Sequence, residues 1–582
     1  MMLFVCLIIG QTAVLSKQKT NIDTAKLIPL ESVYIHFNSA TLFVGERLYY
    51  NLYCLNSATE KLSSLSKVAY IELVGENKKV IFKHKLKLND GTGQGDFKIP
   101  TETPSGNYKI IGYTQWMRND GEANLFYGNI TIINPYRADQ QVFLEENKDT
   151  LSNKLGLNQR QIVSRISPFL NIQLPQKNFK KRSEISLMLT SNDAQDIRSN
   201  YSVSVRKIDE IDVLQKEQIT SMIFKKSKPT PNRKELNNII FLPELRGEII
   251  SGVLLNKNDD KPISNEKVAL SIQQKDFILK ISTTNNDGRF YFNLNADYSE
   301  KNAIVQMLND KDKTSKIMLD NHKSISTEGL SFGKFKISKK YNDYILERSI
   351  YNQIESGYML AKQDSLKNIE NTTPFFGHYD IVYKLDDFSR FPTVKETFIE
   401  IIKNASIISK DNDQYGFYVE SLDPYIKNSD QVAVIVDGVL LQEYSKLMEY
   451  NARNIEKISI ARTETKFVVG TKLYEGFIVI ETFNGGFNNE YSSGYFTKVA
   501  LFMPQPIKKY FKRRYDNNHI DLVNKIPDFR RQLLWEPKIE MNTQNLTLNF
   551  FTSDNIGTYE ISIEGFTKNG DPISLKEYFI VE

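Results

Sequence analysis

The sequence predicts a mainly β protein in which tandem antiparallel sandwiches accompany one small α+β domain. Three observations carry that expectation. Short runs alternate apolar and polar residues with period two and are separated by Gly, Pro, Asn and Asp turns. Helical spacing is concentrated in two stretches, Asp343 to Lys362 and Thr393 to Ala405. From Val432 to Thr482 an almost continuous apolar strand, a short helix and further strands follow one another.

Composition bounds the function classes. At 582 residues the chain has room for several domains, each able to bury a core, and 40 % hydrophobic with 25 % charged residues is the balance of folded protein. Basic and acidic residues number 75 and 70, a net charge of +5, too small a field to expect nucleic acid as a partner. One basic run stands out: Lys508, Lys509, Lys512, Arg513 and Arg514, interleaved with Tyr510, Phe511 and Tyr515. It reads as a solvated helix face, with a contact for phosphate or an acidic membrane surface as the alternative.

The apolar run Met2 to Ile9 is too short to span a bilayer and suits a secretory signal over residues 1–20, although no Lys or Arg precedes it. Its removal would take Cys6 and leave Cys54 alone, so no internal disulfide is expected. No later stretch is apolar enough for a transmembrane helix.

The first folded segment, 31–136, opens with Val33, Ile35 and Phe37 on one face of a strand and Ser32, Tyr34 and His36 on the other. Turns at Val44-Gly45-Glu46, Asn89-Asp90-Gly91 and Pro104-Ser105-Gly106-Asn107 separate the next runs, as in a sandwich. From Tyr108 to Asn119 the chain reads Tyr-Lys-Ile-Ile-Gly-Tyr-Thr-Gln-Trp-Met-Arg-Asn, and Phe126 and Asn134-Pro135 follow. Together with Tyr34, Gly45-Glu46, Tyr49 and Gly95-Asp96-Phe97, this segment resembles the second macroglobulin-type domain of the alpha-2-macroglobulin superfamily. The form it is most similar to belongs to outer-membrane-associated proteins of Bacteroidetes-type bacteria. The resemblance implies an immunoglobulin-like sandwich. It does not carry over covalent trapping, because Cys54 stands in Leu52-Tyr53-Cys54-Leu55 and not in the family's Cys-Gly-Glu-Gln.

A second, weaker sandwich of the same type is expected over 160–225, from Ile185, Leu187, Leu189 and Tyr201 to Val205, with an exposed linker over 226–240. In 241–325, Gly252-Val253, Pro262-Ile263, Val268-Ala269-Leu270 and Asp287-Gly288-Arg289-Phe290 resemble, in that order, the carboxypeptidase-regulatory-like, transthyretin-like sandwich, which is not catalytic. Asp287-Gly288 between two strands predicts a hairpin. Residues 326–410 form a connecting region of two helices around the aromatic run Pro374 to Pro392. The first helix has Ile345, Ile350 and Ile354 near one face, and the second is capped by Thr393 with Glu396 three residues on.

Segment 411–500 holds Val-Asp-Gly at Val436-Asp437-Gly438, Ile455-Glu456-Lys457-Ile458, Leu473-Tyr474-Glu475-Gly476 and a closing Ile480-Glu481-Thr482. In that order these resemble the plug of TonB-dependent receptors, with Phe477 where the family has a small residue. Ile458 and Ile460 are expected on one strand face and Ile455 on the other. A pore for such a plug needs about twenty strands of about ten residues each, more than the chain after it can supply. Leu546, Leu548 and Phe550, with Asn569-Gly570 as a hairpin turn, predict a further sandwich over 515–582.

No catalytic constellation emerges. Gly-x-Ser-x-Gly, Lys-bearing phosphate loops, Gly-x-Gly-x-x-Gly and Cys-x-x-Cys are absent, and His36, His84, His322, His378 and His519 are scattered. The expectation is a non-enzymatic protein without cofactor or metal, exported to the periplasm or the outer membrane. It would bind envelope proteins, among them a barrel in trans, with a macroglobulin-like protease-binding protein as the alternative. The residues expected to make contacts are Trp116, Arg118, Asp437, Gly438, Tyr474, Gly476, Arg530, Arg531 and Trp535.

Overall fold

Strands dominate, as the alternation predicts. The structure, a computed structural model, describes residues 29–137, 144–145, 164–192, 200–209, 211, 220–226, 241–308, 314–321, 324–367, 374–410, 414–421, 432–469, 472–490, 496–515, 525–541 and 543–582. The signal-like 1–20 and nearly all of the linker over 226–240 lie outside these residues. The chain divides into two compact units, one built from Ala25–Leu245, Ser324–Asn368 and Pro504–Glu582, the other containing Arg246–Lys323 and Ile369–Met503.

The three-segment unit contains two sandwiches. In the first, a sheet of Glu31–Phe37, Arg47–Asn56 and Thr92–Lys98 faces a five-stranded sheet running from Thr41–Phe43 through Phe126–Ile133, Gly106–Tyr113 and Val68–Gly75 to Val80–Lys87. Val33, Ile35 and Phe37 point into its core as the period-two pattern requires. Yet Tyr34 and His36, on the face expected to meet water, are only 1 % and 4 % exposed. The second sandwich covers them: the Tyr34 ring meets Phe566 edge-on, and His36 Nδ1 lies 2.6 Å from Ser202 Oγ.

That second sandwich corrects the expected boundaries. Strands Leu170–Gln173 and Glu184–Ser191 share a sheet with Asn545–Phe551. Asn178–Phe179 and Asn200–Lys207 share the other with Pro572–Val581, Gly557–Phe566 and Gln532–Glu540. The sequence suggests two sandwiches, over 160–225 and 515–582; the sheets make them one, because neither stretch has enough strands to cover both sides of a core. Strand approach at the seam demands glycine: a Cβ on Gly565 would stand 2.4 Å from the Asn200 carbonyl oxygen. Asn569-Gly570 closes the expected hairpin, pairing Phe566 with Pro572.

Between the sandwiches lies the helix Asn342–Gly357. Its buried positions are Arg348 and Ser349, whereas Ile350, expected on the packed face, is 46 % exposed. The basic run is not helical. From Lys508 to Tyr515 it has no helix, Lys508–Lys509 pair with Ser365–Leu366, Tyr510 and Arg513 are buried, and Lys509, Lys512 and Arg514 are exposed.

In the other unit, Glu248–Asn256 pairs with Arg289–Leu294 and Ser315–Leu319, facing a sheet of Ile278–Thr283, Lys267–Ile272, Asn302–Met307 and Phe496–Ala500. Asp287-Gly288 is a turn, but it joins strands of different sheets, so the expected hairpin is a corner. The α+β part has a five-stranded sheet ordered Ile381–Lys384, Ile455–Val469, Lys472–Thr482, Val432–Val436 and Val439–Leu440, with Val432–Val436 parallel to Lys472–Thr482 and antiparallel to Val439–Leu440. Its apolar run is continuous because both faces are covered: Val432, Val434 and Val436 enter one core with Phe398 and Leu447, and Ala433 and Ile435 enter another with Ala269 and Leu308. Helix Val394–Glu400 has the expected cap, with Thr393 Oγ1 accepting from Glu396 N at 3.2 Å. A register shift between Ile455 and Lys457 brings Ile455 into the same core as Ile458 and Ile460, correcting the opposite-face expectation.

Candidate functional site

The nine residues singled out in the sequence do not converge. Trp116 is 3 % exposed and its Nε1 donates to the Pro29 carbonyl at 3.0 Å. Arg118 lies 4.0 Å above the Phe241 ring, next to Asn119, which exchanges two hydrogen bonds with the Phe241 backbone. Both hold connections inside the three-segment unit.

Asp437, Gly438, Tyr474 and Gly476 are gathered around the α+β sheet. Asp437, at φ 47°, accepts from Thr482 N and Thr482 Oγ1, each at 2.8 Å, so its carboxylate fastens the Asp-Gly turn to the neighbouring strand. Burial raises the Asp437 pKa, and the hydrogen bonds from Thr482 and Phe487 counteract it. Gly438 has φ 80°, and a Cβ there would sit 2.7 Å from Phe277 Cβ. Gly476 packs against Val419, and half-buried Tyr474 faces Phe467 across the hairpin. Phe477, the departure from the plug pattern, is 2 % exposed and stacks 4.5 Å from Phe376. A small residue would leave that aromatic cluster hollow.

Arg531 and Trp535 are buried too, and the Arg530 side chain is 9 % exposed. Trp535, 3 % exposed, lies between the rings of His36 and Tyr49. Arg530 grips Asp528 with Nε and Nη2 at 2.6 and 2.7 Å, while Phe529 stacks on Tyr351 at 4.2 Å. Burial would raise the Asp528 carboxyl, but Arg530 overrides it and holds the pKa at about 2.

Arg531 leads to the densest cluster of charge in the protein, one whose other members the sequence did not mark out as a site. Glu46, raised on the turn after Gly45, receives Arg348 Nε at 2.8 Å and Nη2 at 2.9 Å, a fork-to-carboxylate pair, and Arg206 Nη2 at 2.9 Å. Asp209 pairs with Arg348 Nη1, with Arg531 Nη2 at 3.1 Å and with Tyr344 OH at 3.3 Å. The side chain of Arg348 is 1 % exposed and its guanidinium lies 4.1 Å over the Phe43 ring. Burial works against both carboxylates, yet Arg348 leads the cations that hold Glu46 well below the usual range and Asp209 below its own. Arg348 is in turn raised, against its burial, by Asp209 and Glu46. Three guanidiniums meet two carboxylates, and the surplus shows at Arg531, whose pKa is lowered by burial and then by Arg348. The first sandwich supplies Glu46, the second Arg206, Asp209 and Arg531, and the helix Arg348.

A third ionic group lies beside it. Arg47 bridges Asp96 at 2.9 Å and Asp364 at 2.7 Å, and Lys508 Nζ reaches Asp96 at 2.7 Å. In the sequence Glu46 stood out as part of a turn and of the macroglobulin-type resemblance, not as a partner for buried arginines. The available signal was Arg348, an arginine three positions from Ile345 on the expected apolar face. These clusters can fix geometry; each charge is already met by another. Among the described residues no three His, Cys, Asp or Glu side chains are placed to hold a metal ion, and no helix is long and apolar enough to cross a membrane.

Fold and site together define a mainly β, multi-sandwich protein braced internally by buried ion pairs. The sequence matches no protein-family model and no curated protein. Among solved structures it is similar to Escherichia coli alpha-2-macroglobulin activated by porcine elastase, at 9 % identity and a TM-score of 0.24, over 95 % of this chain and 44 % of that one. A Salmonella alpha-2-macroglobulin mutant gives 9 % identity and a TM-score of 0.24, over 95 % of this chain and 39 % of that one. The chain thus spans less than half the length of these two proteins.

Proposed function

We propose that this chain is a non-catalytic, exported contact scaffold of a Gram-negative cell envelope, whose β domains and plug-like sheet dock to an outer-membrane barrel or another envelope protein. One observation supports this most directly: the Glu46, Arg206, Asp209, Arg348 and Arg531 cluster spends its charge on holding two sandwiches and a helix together. Groups locked this way do not approach a substrate; they make a rigid support on which strand edges stay in place. In the other unit, independently of that cluster, Ile381–Lys384 is the edge of its sheet, with Val382 47 % exposed, and an edge strand offers unpaired backbone groups to a partner strand.

Immobilising the full chain and passing detergent-solubilised envelope over it tests the proposal. Selective retention of a barrel or other envelope protein, competed by soluble chain, is the expected result. Retention of a protease alone, with the protease losing activity toward a large substrate but not a small one, would replace the scaffold with protease binding. Turnover of a substrate by the purified chain would remove both.

A further inference from the structure

We propose that the face formed where residues 359–367 meet residues 507–514 docks on an anionic phospholipid surface. This goes beyond the scaffold function and does not rest on it. Direct contacts place the parts together: Ser365–Leu366 pair with Lys508–Lys509, Lys367 N donates to the Ile507 carbonyl at 2.9 Å, and Lys98 Nζ lies 3.3 Å from Met359 Sδ. Two properties follow.

First, large aliphatic side chains are exposed on both sides of this ribbon, Ile507 on the side of Lys367 and Lys509 and Leu366 on the side of Lys508. Leu360 is 82 % exposed, Leu366 62 % and Ile507 40 %. Second, the charges are sorted by depth. Of the carboxylates of this region, Asp96 and Asp364 are 7 % and 13 % exposed and are spent on Arg47 and Lys508, and Glu536, 22 % exposed, is spent on Lys512. Lys98, Lys367 and Lys509 are exposed and have no carboxylate partner among the described residues. The outer layer is therefore cationic and aliphatic, and its counter-charge is locked beneath it.

A bilayer suits this combination. Isolated leucines protruding from a face enter the headgroup boundary without needing a matching pocket, and lysine stems lie along apolar surface while their ammonium groups reach phosphates. Along the 508–514 run Lys509 and Arg514 are exposed, as is Lys512, which Glu536 already meets. An acidic protein would answer the charge but would leave the leucines to be matched by a groove.

Flotation of the full chain with vesicles of phosphatidylcholine, alone or mixed with phosphatidylglycerol, tests this. Binding only to the anionic vesicles, weakened by salt, is expected. Neutralising Lys367 and Lys509 together (K367Q/K509Q) lowers partitioning about twenty-fivefold, at about fivefold for each charge. L360S/L366S lowers it while leaving the salt dependence in place. All four residues are exposed, so unchanged hydrogen exchange in these variants assigns the loss to the surface. No vesicle binding, equal binding to neutral vesicles, or binding that both variants retain would overturn the proposal. So would capture of poly-glutamate in place of vesicles, lost in K367Q/K509Q, which would reassign the face to an acidic polypeptide.

Discussion

The two units of this chain hold their layers together by different physics. In the three-segment unit, sandwiches and helix meet through ions taken out of water: Arg348, at 1 % side-chain exposure, between Glu46 and Asp209, and Arg530 on a fully buried Asp528. In the other unit the layers meet through hydrocarbon. Ala433, Ile435, Phe477 and Val479 pack with Ala269 and Leu308, and ion pairs such as Lys316–Asp260 and Arg289–Asp320 stay at the surface. Apolar contact is tolerant in direction, whereas a forked pair of guanidinium and carboxylate fixes register and angle. The buried clamp therefore specifies geometry, and the apolar contact supplies adhesion.

The sharpest way to break this contrast is Arg348→Met, which leaves Glu46 and Asp209 buried without their main partner. A cost of about 3–5 kcal/mol is expected. Hydrogen exchange should show lost protection in Thr41–Phe43, Asn200–Lys207 and Gln532–Glu540, with Val432–Val436 unchanged. Adding Glu46→Leu should recover part of the loss, since an apolar replacement of a buried pair removes the stranded charge. Retained protection in R348M would mean that the sandwiches adhere without the clamp.

Ile478→Ala probes the other unit. Ile478 is fully buried, and its truncation should cost about 3 kcal/mol through lost transfer energy and a cavity. Protection should fall in Val432–Val436 and Ile455–Val469 and stay unchanged around Arg348.

Acid separates the two kinds of joint next. His36, against the second sandwich, is held at about 3 by burial and secondarily by Lys576, from an ordinary 6.5. Below pH 6.5 the unfolded chain binds this proton and the folded chain does not, so stability falls with pH through the window from 6.5 to 3. At pH 5 the loss is about 2 kcal/mol. His36→Gln should flatten that window in a denaturant titration repeated across pH. Glu46 and Asp209, depressed from 4.5 and 3.8, give stability that is present above those values and lost as pH falls below them. A further decline should begin there, and Arg348→Met should abolish it.

Smallest of all is Lys316→Ala. With Lys316 and Asp260 side chains 45 % and 67 % exposed, losing the pair should cost under about 1 kcal/mol and vanish in high salt. A larger effect would place ionic adhesion in both units and end the contrast.

Much of the α+β part was legible in the sequence. The strand at Val432–Val436, the Asp437-Gly438 turn and the Thr393 cap are local devices, decided by residues within a few positions of one another. The contact residues were not legible in the same way. Trp116, Arg531 and Trp535 have the residue types that interfaces favour, and the fold buries all three, because the same types also suit internal joints between domains. Nor could spacing show that Asp287-Gly288 turns a corner, since a turn sequence fixes the bend and not which sheet receives the next strand.

The sequence by itself determined the mainly β class, the turns, the helix cap and the inward-facing residues Val33, Ile35 and Phe37, because these depend on period and on backbone preference close by in the chain. Only the tertiary structure decided that Leu170–Gln173 and Pro572–Val581 belong to one sandwich, that Tyr34 and His36 are dry, and that Glu46, Asp209 and Arg348 share one cluster. Glu46 and Arg348 stand about three hundred residues apart and their carboxylate and guanidinium meet at 2.8 Å. Nothing local to either residue encodes that meeting; it follows from how sheets and a helix with many weak preferences pack at once.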